Sequence, residues 1–231
     1  MLDCISVDNM RQSDAWTIEN LVPSLELMHR AAMGVFLAAR WQGKIAIVVG
    51  SGNNGGDGFA LACILRRKGI DCTVFTVSTR LSADSEYYAR QAADLGVAVL
   101  PFSVGCLQGY DMVVDCLLGT GFQGALRENY RIAITQINAS GGKVISVDIN
   151  SGMNGDTGEG NLIVRSDLTV TIGFVKHGLV KPNAGTYMKR LVCADIGIRL
   201  FREESKLCTE GEYHPNAIAY PHWLDRTVIR V

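Results

Sequence analysis

Ile45-Ala-Ile-Val-Val-Gly50-Ser-Gly52-Asn-Asn54-Gly-Gly56-Asp57-Gly-Phe59 decides the fold: five apolar residues run straight into glycine, serine, asparagine and aspartate, and an alanine- and leucine-rich run to Arg67 follows at helical spacing. This pattern predicts a strand, a tight turn and a helix N-terminus. A continuous apolar strand is buried on both faces, as in a parallel sheet, so the turn is expected at the carboxyl edge where α/β proteins bind ligands. Gly50, Gly52, Gly55 and Gly56 lack Cβ atoms and leave backbone N–H groups beside the positive end of a helix, a site suited to phosphate.

A glycine-rich turn can also be no more than a sharp corner. Gly50, Gly52 and Gly55 fit the G-x-G-x-x-G spacing, but the next strand ends at Val77-Ser78-Thr79 without the acidic residue that would hold a ribose. There is no Walker lysine either. What lifts the turn above a corner is Asn53, Asn54 and Asp57, three amide or carboxylate side chains in five residues.

Working outward, 231 residues suit one large α/β domain with a sizeable core. Hydrophobic residues make up 48%, charged residues 19%, and the net charge is −1, so no bulk field draws the chain to nucleic acid or an anionic membrane. Seven cysteines are scattered without C-x-x-C or other metal-ligand spacing, and read as reduced, mostly buried thiols of a cytosolic-type compartment. The first ten residues have no basic and apolar leader pattern, and no apolar run approaches the ~18 residues of a membrane helix. The expectation is a cytoplasmic protein with no membrane partner.

From Asp8 to Trp41 apolar residues recur at three- and four-residue steps, interrupted at Pro23, which predicts two helices with Ser24 as the N-cap of the second. They are expected to cover a sheet edge or form an interface, and they leave a homodimer open. After the glycine loop, strands are predicted at Cys72–Val77, Val97–Phe102, Met112–Cys116, Lys143–Val147, Asp167–Ile172 and Tyr187–Asp195, with helices at Ala83–Leu95 and Arg127–Ser140. The alternation predicts a Rossmann-like doubly wound, mostly parallel sheet with helices on both faces and an N-terminal helical extension. Residues 202–231 show no period and read as a C-terminal extension of a single domain spanning 1–231.

Three predicted strands end in polar loops: Asn53-Asn54-Gly55-Gly56-Asp57, Asp115-Cys-Leu-Leu-Gly119-Thr120-Gly121, and Asp148-Ile-Asn-Ser151-Gly152. In a doubly wound sheet such ends line one crevice. Singly, each residue is an ordinary cap or turn former; together they predict convergence of Asn54, Asp57, Asp115, Asp148 and Ser151. Amide, carboxylate and hydroxyl oxygens suit a hard cation such as potassium better than zinc or copper.

These three segments, in this order, resemble the signatures of the NAD(P)H-hydrate epimerase family, the YjeF N-terminal domain. Met10-Arg11 with Asp14, Leu27-Met28, Gly173-Phe-Val-Lys176-His177-Gly178 and Asp195-Ile-Gly197 resemble further family segments, so the likeness covers about residues 8 to 200. The resemblance implies a hydrated NADH or NADPH as substrate. It places the substrate's phosphate and sugar parts on Asn53, Asn54, Gly55, Gly56 and Asp57 and on Gly119, Thr120, Gly121, Phe122, Gln123, Gly124 and Ala125. It further implies a potassium ion on Asn54, Asp115 and Ser151, and Asp148 as both substrate contact and catalytic residue. The family usually has proline at the position of Asn150, and Lys-Pro-Gly where this chain has Lys176-His177-Gly178. Many relatives continue into a dehydratase domain, for which residues 202–231 are too short.

The implied activity interconverts the R and S hydrates by general acid–base chemistry at Asp148. The alternative is a non-catalytic nucleotide-binding or scaffolding module of the same fold, which would be expected to lose the polar loops or gain basic patches.

Overall fold

A computed structural model describes residues 1–231. In chain order the elements are β1 (Leu2–Ile5), α1 (Val7–Asn20), α2 (Ser24–Ala38), β2 (Ile45–Val49), α3 (Asn53–Arg67), β3 (Cys72–Thr76), α4 (Ala83–Asp94), β4 (Ala98–Pro101), β5 (Met112–Cys116) and α5 (Glu128–Asn138). There follow β6 (Lys143–Val147), β7 (Leu168–Ile172), β8 (Val175–Lys176), β9 (Leu191–Asp195), β10 (Ser205–Cys208), β11 (Ala217–Ala219) and β12 (Leu224–Arg230).

Eight strands form one sheet in the order β12-β9-β7-β6-β5-β2-β3-β4, every neighbouring pair parallel. Strand β2 sits between β5 and β3. The chain winds outward through β3 and β4 on one side and through β5, β6 and β7 on the other, so the direction reverses between β2 and β5. A reversal of this kind opens a crevice beyond the carboxyl ends of the two strands.

Strand periodicity assigns the core. Ile45, Ile47 and Val49 of β2 pack under α2, α3 and α4, while Ala46 and Val48 face α5 with Tyr130, Ile134 and Ile137. In β5, Met112, Val114 and Cys116 take the first face and Val113 the second, which sends Asp115 toward the α5 side, where it is fully buried.

Two local readings change. Pro23 is the N-cap of α2 and no side chain caps it, so Ser24 is the first helical residue rather than the cap. The tail is strand-forming: β12 extends the main sheet beside β9, and β10 and β11 join β1 and β8 in a second sheet of order β11-β10-β1-β8. Trp223 lies against Gly185 and donates to Leu179 O at 3.0 Å, which fastens the tail to the body of the protein. These strands gave no signal because each is only three to seven residues long and is paired by distant partners.

All seven cysteines are free. Burial pushes the thiols of Cys4, Cys72 and Cys193 up to about 12, so they behave as inert small hydrophobes. No helix is long and apolar enough to cross a membrane.

Candidate active site

A cleft of about 670 Å³ opens at the β2/β5 reversal. The β2–α3 turn, the β5–α5 loop, Asp148 at the end of β6 and the inner face of α1 wall it.

The glycine loop enters first. Tyr130 of α5 holds Ser51, its hydroxyl 3.1 Å from Ser51 N and from Ser51 Oγ, and Ser85 of α4 donates to Gly52 O at 2.9 Å. The turn is therefore pinned from both layers of helices. Gly55 and Gly56 spend their N–H groups on Gly52 O, at 3.0 and 3.3 Å, and neither lines the cleft. A Cβ on Gly55 would lie 2.4 Å from Gly50 O, and one on Gly56 would lie 2.6 Å from Met28, so these glycines allow α3 to pack closely. This corrects the expectation that they face a phosphate; Ser51, Gly52, Asn53, Asn54 and Asp57 are the loop residues that reach the cleft.

Asn54 is buried, and its Nδ2 and Oδ1 both lack a hydrogen-bond partner. Paired orphans of this kind are rare in native interiors and ask for a bound group. Asp57, half-buried one turn on, also accepts no hydrogen bond, and burial raises its carboxyl well above the usual range, with the charges of Asp148 and Asp14 adding to the rise and Lys176 opposing it.

The β5–α5 loop brings Gly119, Thr120, Gly121, Phe122, Gln123 and Ala125 to the cleft; Gly124, at φ +83°, shapes the turn without lining it. Beneath the loop, Ser151 Oγ donates to Asp115 Oδ1 at 2.5 Å, and Ser151 N and Ser146 Oγ donate to Oδ2 at 3.0 and 2.9 Å. Leu118 N donates to Ser151 Oγ at 2.9 Å. Asp115 and Ser151 are thus brought together, but behind Leu117 and Leu118 rather than on the cleft wall. Burial raises the Asp115 carboxyl, with the Ser151 hydroxyl and the other donors opposing.

Asp148 is the one non-glycine residue at positive φ, +70°. A left-handed turn there costs roughly 1–3 kcal/mol and points to a constraint imposed at a working site. The turn aims the side chain into the cleft, where Oδ2 accepts from Thr120 N at 3.0 Å and Oδ1 from Lys176 Nζ at 2.6 Å. Lys176 is fully buried and spends its other donors on Thr171 Oγ1, at 3.1 Å, and Ile172 O, at 2.7 Å.

Lys176 and Asp14 are the site residues that residue-level reading missed. Lys176 ends an apolar run and resembles a lysine leaving the sheet for solvent; Asp14 sits mid-helix with no sequence link to the loops. Asp14 lines the cleft from α1, and burial raises its carboxyl, with Asp148 adding and Lys176 opposing.

Asn150 anchors its loop through hydrogen bonds. Its buried amide nitrogen lies 2.9–3.0 Å from Val164 O, Ser166 Oγ and Tyr187 O, and its oxygen accepts from Thr169 Oγ1 at 2.7 Å. His177 Nε2 lies 3.1 Å from Cys4 O, tying the second loop to β1.

Fold and cleft together define a Rossmann-like α/β protein with a carboxylate-rich crevice at the sheet's switch point. Residues 24–178 match the family described as YjeF-related protein N-terminus, and the chain belongs to that family. It is 34% identical over 201 residues to an NAD(P)H-hydrate epimerase of Limosilactobacillus fermentum, covering 83% of this chain and 95% of the relative. It is 36% identical over 208 residues to a bifunctional NAD(P)H-hydrate repair enzyme of Archaeoglobus fulgidus, covering 86% of this chain and 41% of that longer protein. The fold matches the crystal structure of the yeast protein YNL200c, with a TM-score of 0.72 at 20% identity, over 88% of this chain and 97% of that one.

Proposed function

We propose that the protein is an NAD(P)H-hydrate epimerase, interconverting the R and S epimers of hydrated NADH and NADPH. The observation that carries this reading is Asp148. It is a carboxylate held at a left-handed turn by a buried lysine and a loop N–H, in a chain that matches a relative of this name over 95% of that relative's length. The substrate is a carbinolamine, with its hydroxyl on the carbon beside the ring nitrogen. The nitrogen lone pair expels that hydroxyl once it is protonated, and the planar iminium then takes up water on its other face. A carboxyl group beside that carbon performs the proton transfers.

We further propose that Asn54, Asp115 and Ser151 would hold a potassium ion. In support, Asn54 Oδ1 is buried and unpaired, and the fully buried Asp115 carboxylate is met only by neutral donors, Ser146, Ser151 and Leu117 N. Such a set lacks a positive partner. A bound monovalent cation would supply that charge and hold the three loops in register beneath the substrate's anionic part. The N–H groups of the first turn of α3, at Asn53 and Asn54, precede the first intrahelical bonds and remain for phosphate oxygens.

The test is equilibration of purified R hydrate into S hydrate, followed by chromatography against the spontaneous reaction. Wild-type protein that is no faster than buffer would remove the proposal.

A further inference from the structure

Three carboxyl groups from three separate elements reach the cleft: Asp14 from α1, Asp57 from α3 and Asp148 from the end of β6. They are not partnered alike. Both oxygens of Asp148 accept a donor, one from Thr120 N and one from Lys176 Nζ. Asp57 accepts none, on a wall half-closed to water. The groups acting most on it are Asp148, Asp14 and Lys176; Arg11, Arg127 and Asp84 also line the cleft. Where carboxyl groups share a site, the one without donors keeps the proton and the one with donors gives it up, a division that in other enzymes marks acid and base.

Epimerisation at one carbon sets a geometric demand: water must leave one face of a flat iminium and return to the other. A single carboxyl group meets it only if the ring turns over in the site. We propose that Asp57 and Asp148 act as a pair across the hydrated ring, each serving one face, so that water departs beside one carboxyl group and returns beside the other. This inference rests on the epimerase reading and assigns its second catalytic residue.

The balance closes without a further reactant. Asp57 gives its proton to the hydroxyl of one epimer; the C–O bond breaks as the ring nitrogen forms a C=N⁺ bond, and water leaves. A second water adds to the opposite face, forming a new C–O bond and passing its proton to Asp148. An iminium carbon is electrophilic enough for a lysine-paired carboxylate to suffice as the acceptor of that proton. The proton then returns from Asp148 to Asp57. For the other epimer the sequence runs backwards, with Asp148 as acid and Asp57 as base.

Oxygen exchange distinguishes a pair from a single group. Each purified hydrate is incubated in ¹⁸O water with wild type, Asp57→Asn and Asp148→Asn, and both label uptake and epimer ratio are followed by mass spectrometry. Each variant should lose epimerisation by about 100- to 10,000-fold. Each should still exchange oxygen in one epimer, and in opposite epimers, because the remaining carboxyl group can expel and return water on its own face. Epimerisation at the wild-type rate by Asp57→Asn, or loss of exchange in both epimers by Asp148→Asn, would overturn the pairing. Circular dichroism and thermal melts check that each variant folds; if Asp57→Asn does not, Asp148→Asn alone decides by the same criterion. Wild type no faster than buffer would instead defeat the epimerase reading itself.

Discussion

Lys176 Nζ lies 2.6 Å from Asp148 Oδ1, a fully buried ammonium against a carboxylate that is 14% exposed in its side chain. The pair joins β8 of the second sheet to the end of β6 in the main sheet, so the small sheet, in which β8 is joined with strands from both chain termini, supports the cleft. Lys176 acts as a positioning residue, since its remaining donors are committed to Thr171 and Ile172.

Lys176→Met should therefore impair catalysis more than binding. Asp148 loses the donor that fixes its rotamer, and kcat should fall by about tenfold or more while KM changes little. Steady-state kinetics with each hydrate provide the measurement, and an equal rise in KM with kcat retained would contradict the positioning role. Asp148→Asn keeps an acceptor and tolerates the left-handed turn, but leaves a buried ammonium without its counter-charge. Breaking a buried pair in this way costs up to about 3–5 kcal/mol, which a denaturant melt would reveal.

The potassium proposal can be tested without activity. If Asn54, Asp115 and Ser151 hold the ion, replacing choline chloride by potassium chloride at constant ionic strength should raise the melting temperature. At one hundred times Kd the gain is about 2.7 kcal/mol. Asn54→Ala should abolish the potassium response with little loss of stability in choline, because the amide it removes makes no hydrogen bond. Equal melting curves in the two salts for wild type would rule the ion out.

Asp57 gives stability a pH dependence opposite in sign to that of a salt-bridged aspartate. Its folded carboxyl titrates well above the unfolded value of 3.8, so within that window the native state binds more protons than the unfolded chain. Stability contributed by the protonated group is fully present below 3.8 and is lost as pH rises through the raised folded value. Asp14 and Asp115 shift in the same direction. Asp57→Asn should remove part of this slope and melt higher than wild type at neutral pH; a variant with an unchanged pH profile of melting would refute the assignment.

Two glycine substitutions should separate packing from chemistry. A Cβ on Gly119 would lie 2.9 Å from Asp148 Oδ2 and 3.3 Å from Asn54 Cβ, so Gly119→Ala should leave a folded protein with a displaced carboxylate and a reduced rate. A Cβ on Gly56 would press on Met28 Cε and Sδ, each at 2.6 Å, and on Ser85 Oγ at 2.8 Å. Gly56→Ala should thus cost about 1–3 kcal/mol of stability by overpacking between α2, α3 and α4, with ligand affinity of the folded fraction retained. Calorimetric melts and titration with a pyridine dinucleotide measure the two effects.

The sequence by itself determined the sheet and the location of the crevice. Runs such as Ile45–Val49 and Met112–Cys116 read as strands buried on both faces, as in a parallel sheet, and each leads into a loop with glycine and polar residues where a ligand can approach. It also identified Asn54 and Asp148 as cleft residues, because amides and carboxylates at strand ends exceed what turns require. Only the tertiary structure decided which glycines face the ligand and which face a helix, since that depends on how α2 and α4 close over α3. It alone brought Lys176 and Asp14 to Asp148, for a contact between residues 28 positions apart in different sheets leaves no mark in local periodicity. The short strands of both termini were invisible for the same reason: a strand of four residues is specified by the edge it pairs with, and that edge is assembled only when the whole chain has folded.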